Sequence, residues 1–468
     1  MRKITTIGIV VCTLMLLYSC SKSKLTAAGD AFVFVNADTL KYDTVFTTTG
    51  SITQSFKIIN ENEQKIVLTS IRLMGGAASA FKINVNGMLG PQVENAEIAA
   101  DDSIYVFVTV TINPSSASLP FVVRDSIFID CNGVSKYVQL EAYGQNAHFL
   151  RNQKIRSDVT WANDLPYVII GDLSIDTSAS LTIEAGCKLF FHANATMLVD
   201  GSLVVNGSKN NEVIFTGDRL DRYYKDLPGS WPGIAFRKAS KNNVISYAVI
   251  KNANRAIDIR DPSMNTNPKL TIHQSIIDNA FESGVFSSNS SLNADNTLFS
   301  NCGNNIKIEG GGNYKLINCT NTAYSSMYII HNNPVLQLNN FSYDNGILLS
   351  ADLKANFTNC LFWGDGGLLS DEILIQKEGT NIFDVVFDHC LYKNSDHPAN
   401  STVVSSIINE DPEFDSIDVV NQYFDFRTTK NVTSPVIDNG INTTFSKDLD
   451  DKSRWNGIAT DIGCYEKQ

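Results

Sequence analysis

Val-Ile-Ser-Tyr-Ala-Val-Ile-Lys-Asn at 244–252, Leu-Thr-Ile-His-Gln-Ser-Ile-Ile-Asp-Asn at 270–279 and Leu-Asn-Ala-Asp-Asn-Thr-Leu-Phe-Ser-Asn-Cys at 292–302 are three copies of one phrase. It returns as Tyr-Lys-Leu-Ile-Asn-Cys at 314–319, Leu-Gln-Leu-Asn-Asn-Phe at 336–341, Leu-Lys-Ala-Asn-Phe-Thr-Asn-Cys-Leu-Phe at 353–362 and Phe-Asp-Val-Val-Phe-Asp-His-Cys-Leu-Tyr at 383–392. Each copy is a strand-length apolar alternation followed by a polar turn. The period, about 20 residues, is that of a repeat architecture. The runs are short, β-branched and aromatic, and no helix-length apolar pattern lies between them. A single copy cannot bury its apolar face, but stacked copies bury a continuous one.

One turn of a right-handed parallel β-helix meets these demands. The solenoid is expected over residues 147–430, with Ala147 to Trp161 as a connector and the first turns from Tyr167. Those turns read Leu-Thr-Ile-Glu-Ala-Gly-Cys-Lys-Leu-Phe-Phe at 181–191, Met-Leu-Val-Asp-Gly-Ser-Leu-Val-Val-Asn-Gly at 197–207 and Trp-Pro-Gly-Ile-Ala-Phe at 231–236. They resemble the opening turns of bacterial surface proteins with a pectate-lyase-like β-helix. The end of the chain, Ser-Pro-Val-Ile-Asp-Asn-Gly at 434–440, Asp-Leu-Asp-Asp-Lys-Ser-Arg at 448–454 and Ala-Thr-Asp-Ile-Gly-Cys-Tyr-Glu at 459–466, resembles the terminal motif of many secreted β-helix proteins. Asp451 and Cys464 replace the Gly and Ala of its usual form. Residues 431–468 are therefore expected to cap the open end of the solenoid, whose last turn would otherwise present bare strand edges.

Upstream, residues 31–146 change character. Strand-like runs at irregular spacing are punctuated by Gly75-Gly76, Asn86-Gly87, Gly90-Pro91 and Asn132-Gly133. About seven short strands with such turns read as an antiparallel immunoglobulin-like β-sandwich. The segment Phe-Lys-Ile-Ile-Asn-Glu-Asn-Glu-Gln-Lys-Ile-Val-Leu at 56–68 resembles the first hairpin of bacterial immunoglobulin-like domains. The chain is thus expected to be all-β, a sandwich followed by the β-helix.

Residues 1–20 form a leader: Arg2 and Lys3, then an apolar run from Ile7 to Leu17 too short to span a bilayer comfortably. Leu17-Tyr18-Ser19-Cys20 resembles the lipobox of bacterial lipoproteins, with Tyr18 bulkier than usual. The resemblance, to Bacteroidetes-like surface lipoproteins, implies lipidation of Cys20, an outer-membrane anchor and a polar tether over 21–30. Ser21, where Asp would signal inner-membrane retention, agrees with that address.

Composition is globular, with 43% hydrophobic and 18% charged residues. The formal charge of −12 becomes −14 once Arg2 and Lys3 leave, with 35 basic residues against 49 acidic ones. No basic face for phosphates is visible in the sequence, so a nucleic-acid partner is not expected. Of nine cysteines, Cys302, Cys319, Cys360 and Cys390 recur at similar places in successive repeats. They read either as a buried ladder of thiols, about 4.8 Å apart, or as a disulfide between turns. There is no C-x-x-C and no His at ligand spacing, so no metal site is expected.

Chemistry is harder to place. Pectate-lyase-like folds host lyases, hydrolases, esterases and inactive proteins alike, so fold alone assigns no activity. The polygalacturonase phrases do not occur together. A catalytic reading rests on Asp258 and Arg260, two residues apart on one strand face; the competing reading is a plain surface ion pair. A binding reading rests on the insertion Gly217–Gly229, with Arg222, Tyr223 and Tyr224, and on the adjoining Trp231 as a ligand-stacking ring. Trp363 is a weaker candidate of the same kind. His192, His273, His331, His389 and His397 lie at neither metal nor triad spacing. No cofactor is expected; calcium would accompany a lyase, and no motif supports it. Three functions stay open: non-catalytic binding of polysaccharide or another surface component, cleavage of an acidic glycan, and a structural or adhesive stalk. A monomer on the outer membrane, facing the periplasm or the cell surface, is expected.

Overall fold

The computed structural model describes residues 32–46, 51–113, 121–221, 224–430 and 433–468. The leader, Cys20, the tether, Arg222 and Tyr223 lie outside them. The chain divides into two compact units, parting between Asn146 and Ala147.

The first unit is a sandwich of two five-stranded sheets. One contains Val33–Val35, Gln54–Asn60, Asp102–Val110, Phe81–Val85 and Met88–Leu89; the other contains Thr39–Phe46, Val134–Gln145, Phe121–Cys131, Ile66–Leu73 and Gln92–Ile98. Alternation does what the pattern requires: Ile104, Val106, Val108 and Val110 point inward and are buried. Asn132 and Gly133 take φ of 52° and 84°, the two positive values a tight hairpin turn demands. Two features differ from the sequence reading. The described residues form ten strands, and Thr39–Phe46 pairs parallel with Val134–Gln145. Gln92–Ile98 escaped notice because a positive φ at Asn95 breaks its alternation and leaves Val93 out of step with Ala96 and Ile98.

The second unit is a parallel β-helix with three strands per turn. Face a holds strands such as Thr196–Val199, Gly233–Phe236 and Arg255–Arg260. Face b holds Ser202–Asn206, Asn243–Ser246 and Leu270–His273. Face c holds Val213–Gly217, Ala248–Lys251, Ile276–Asp278, Leu298–Ser300, Thr320–Tyr324 and Leu361–Asp365. Faces a and b form one 17-stranded sheet, and face c an 11-stranded one. In two turns a and b fuse into single strands, Ser283–Asp295 and Asn304–Ile317.

The register explains the repeated phrase. Gln274, Asn296, Asn318, Asn359 and His389 occupy the same corner between faces b and c, and all have φ between 42° and 51°. Asn visits this left-handed conformation more readily than other side chains. The next residue turns inward. In successive turns that inward position is Cys187, Val213, Ala248, Ser275, Thr297, Cys319, Cys360 and Cys390. Asn-Cys is thus a corner followed by a small buried group. Cys319, Cys360 and Cys390 are free, buried and stacked on adjacent turns. Cys302 departs from the expected ladder. It lies past the opposite end of face c, where its Sγ accepts the Ala280 N–H at 3.4 Å.

The C-terminal segment does not close the end of the solenoid, as its motif suggested. It runs back along the flank. Asp450 meets Lys209 at 2.8 Å, the Asp448 carbonyl accepts from Gln274 at 2.8 Å, and Arg454 Nε donates to Asn296 at 2.7 Å. Asn359 Nδ2 donates to the Ile441 carbonyl at 2.8 Å. The reason is an apolar outer surface on face c. Leu298, Tyr324, Leu361, Trp363 and Leu391 point outward there and pack under Phe426, Val436, Leu449, Ile462 and Cys464. Burying that stripe takes precedence over covering strand edges.

Candidate functional site

Trp231 is no ligand platform. It is fully buried, stacks on Phe191 with ring centroids 4.2 Å apart, and donates Nε1–H to the Lys251 carbonyl at 3.0 Å. It fills the interior as a rung residue, so the expectation of a stacking site fails there. Trp363 is likewise largely buried, under the C-terminal segment. Of the insertion's aromatic pair, Tyr224 is described and partly exposed, but the Arg219 guanidinium covers its ring at 3.8 Å.

Asp258 and Arg260 do meet, as a two-pronged pair at 2.8 and 2.9 Å, and Arg255 adds a contact to Asp258 at 3.3 Å. Both carboxylate oxygens are thus occupied. Other turns of face a carry ion pairs too: Lys307–Glu309 at 3.0 Å within one strand, at the positions of Asp258 and Arg260, and Lys154–Asp176 at 2.8 Å and Arg237–Asp200 at 3.0 Å between adjacent turns. A feature repeated on turn after turn belongs to the stacking, and each exposed pair contributes about 0–1 kcal/mol. The structure favours the ion-pair reading over the catalytic one. The histidines are similarly engaged: His192 with Asp218, His331 with Glu372 and His389 with Asp388, each at 2.8 Å.

A cleft of about 330 Å³ opens instead where three departures from the regular turns converge, beside the corner between faces c and a. The insertion brings Asp226, the loop after Tyr324 brings Met327 and Tyr328, and the turn within the hairpin Ser416–Asp425 brings Asn421 and Gln422. The floor is the second left-handed corner of the solenoid, Asn252, Asn279 and Asn301, with φ of 63°, 54° and 51°. Asn252 donates to the Lys225 carbonyl at 2.8 Å and Asn279 to the Asp226 carbonyl at 2.9 Å. The insertion is therefore clamped to the body by asparagine side chains.

Three charged groups face this cleft. Lys251 and Asp278 are cross-strand partners on adjacent turns, and Asp226 lies 3.8 Å from the Lys251 ammonium. Asp278 accepts from the Ser300 hydroxyl at 2.7 Å. Desolvation holds its carboxyl above the usual carboxylate range, and the Ser300 hydrogen bond and the Lys251 charge oppose that shift. Carboxylates and amides that take hydroxyl hydrogen bonds, beside the rings of Tyr328 and Phe424, suit sugar rings with apolar faces and polar rims. Sequence reasoning singled out the insertion but not Asp278 or the asparagine floor. The signal was present in the repeated Asp-Asn at 278–279 and Ser-Asn at 300–301, which end successive face-c strands. Among the described residues, no group of three or more His, Cys, Asp or Glu is placed to hold a metal ion.

Residues 171–321 match a family described as a right-handed beta helix region. No curated protein matches the chain. Among solved structures it is similar to a family 123 glycoside hydrolase from Clostridium perfringens, at 8% identity over 26% of this chain and 30% of that one, with a TM-score of 0.19. It is also similar to the PapD-like domain 7 of human CEP192, at 8% identity over 27% of this chain and 92% of that one, TM-score 0.18. The periplasmic chaperone SfaE gives 9% identity over 25% and 58%, TM-score 0.16. The chain thus spans under a third of the hydrolase, and likenesses this low carry no argument about activity.

Proposed function

We propose that this protein is an outer-membrane lipoprotein that binds polysaccharide, without cleaving it, in the cleft between the insertion and the loop after Tyr324. The observation that carries the reading is the convergence of three departures from the solenoid on one polar, partly aromatic recess. Regular turns spend their side chains on stacking, so specificity resides in the loops that leave them. The leader ending Leu17-Tyr18-Ser19-Cys20 supports the anchor, and Cys20→Ala should move the protein from the membrane fraction to the soluble one. A second reading, glycoside hydrolysis, draws on the raised Asp278 carboxyl in a cleft that also holds Asp226. A glycan array followed by a reducing-end assay on every glycan bound separates the two. Binding without new reducing ends supports the proposal, cleavage supports the alternative, and no binding overturns both.

A further inference from the structure

The rim of the cleft has a chemistry of its own. Met327 lines the recess and is 77% exposed, and Ile330 in the same loop is 65% exposed. On the opposite wall Val420, one residue before the lining pair Asn421 and Gln422, is 91% exposed. Leu368, 94% exposed, follows Gly367, whose Cβ position would lie 2.0 Å from the His331 carbonyl, so it emerges beside the Met327 loop. That loop is held from below by the buried His331–Glu372 pair at 2.8 Å, so its display of side chains is fixed by the fold.

Four aliphatic side chains in water, one lining the polar recess and three in the segments beside it, need an account. A protein interface has the opposite plan, with an apolar centre and a polar rim. A free oligosaccharide uses aromatic faces, and gains little from Met, Ile, Val or Leu. An amphiphile fits both zones, with a polar head against Asp226, Lys251 and Asp278 and an apolar chain across the rim. We infer that the ligand of this cleft is a glycolipid, whose sugar enters the recess and whose hydrocarbon lies on Met327, Ile330, Leu368 and Val420. The inference rests on the polysaccharide-binding reading and adds the lipid to it. It also places the cleft at a membrane surface, where the Cys20 anchor would hold the protein.

The test takes an oligosaccharide selected on the array in two forms. One is free; the other is coupled to dipalmitoyl phosphatidylethanolamine and carried in phosphatidylcholine vesicles. The full chain with Cys20→Ala, free of its own lipid, is the probe. Binding to the coupled form should be tighter by at least about tenfold, as expected for burying even one aliphatic side chain. The variant Ile330→Ser with Leu368→Ser and Val420→Ser, none of which lines the recess, should lose that gain and keep its affinity for the free sugar. These residues are exposed, so the fold should hold. Equal affinity for the two forms overturns the inference and leaves polysaccharide binding standing. So does a gain that survives the triple variant, or binding to vesicles without sugar. No array ligand at all removes the reading beneath it.

Discussion

Asn359 offers a sharp test of the corner argument, because its two roles predict different outcomes for two substitutions. It is fully buried, with φ of 51°. Its Oδ1 accepts the Ile441 N–H at 2.9 Å, and its Nδ2 reaches Asn318 and the Ile441 carbonyl, both at 2.8 Å. Asn359→Ala strains the left-handed corner by about 1–2 kcal/mol. It also strips the Ile441 N–H of its partner, at about 1–3 kcal/mol, so a total of about 2–5 kcal/mol is expected. Asn359→Gly makes the same polar loss without the strain, and its greater freedom in the unfolded chain returns about 0.5–1 kcal/mol of the difference. Glycine should therefore beat alanine here by about 0.5–1 kcal/mol, the reverse of their usual order within regular structure. All four tryptophans, Trp161, Trp231, Trp363 and Trp455, lie in the second unit, so fluorescence-detected urea unfolding reads it directly. Hydrogen exchange at 436–446 should speed up in both variants. If alanine proves as stable as glycine, the corner does not need a left-handed residue and the account of the repeat fails.

Three further outcomes are expected. Trp231→Ala should cost about 3–5 kcal/mol by the same urea assay, as for large core aromatics; a change below 1 kcal/mol would return Trp231 to the surface. Burial drives the Cys302, Cys319 and Cys360 thiols upward, so these and Cys390 should label slowly in native protein and fully once denatured. Fast native labelling, or thiols missing after denaturation, would contradict the buried free thiols. Burial, with Asp461 beside it, pushes the Glu466 carboxyl up to about 8 from an ordinary 4.5. The folded segment then keeps a proton that the unfolded chain releases, so the contribution of Glu466 to stability is full below pH 4.5 and is lost as pH rises towards 8. Urea midpoints across that range should fall, and Glu466→Gln should flatten the slope; a rising midpoint would refute the assignment.

Much of this was legible in the chain, for identifiable reasons. The left-handed corners were written as Asn because few other side chains tolerate that conformation, and the inward neighbour as Cys, Ser, Thr or Ala because little room is left. What escaped was anything set by contacts between distant segments. The terminal motif read as a lid for the solenoid, whereas its Asp448, Asp450 and Arg454 reach residues some 150–240 positions earlier. Trp231 invited a surface role because a lone tryptophan beside an insertion looks the same in sequence whether it faces out or in. The cleft stayed hidden for the same reason: its walls come from Asp226, Tyr328 and Gln422, far apart in the chain.

The backward course of the C-terminal segment imposes an order in time. A solenoid of local contacts can add turns as the chain emerges, each settling on the one before. The outer stripe of Leu298, Tyr324, Leu361, Trp363 and Leu391 gains its cover only when Phe426 to Cys464 have been synthesised. Until then a nearly complete solenoid carries a sticky flank. Chaperone capture thus has a window that closes once Phe426 to Cys464 have settled, and a chain cut short before Phe426 should aggregate although most of its turns are intact.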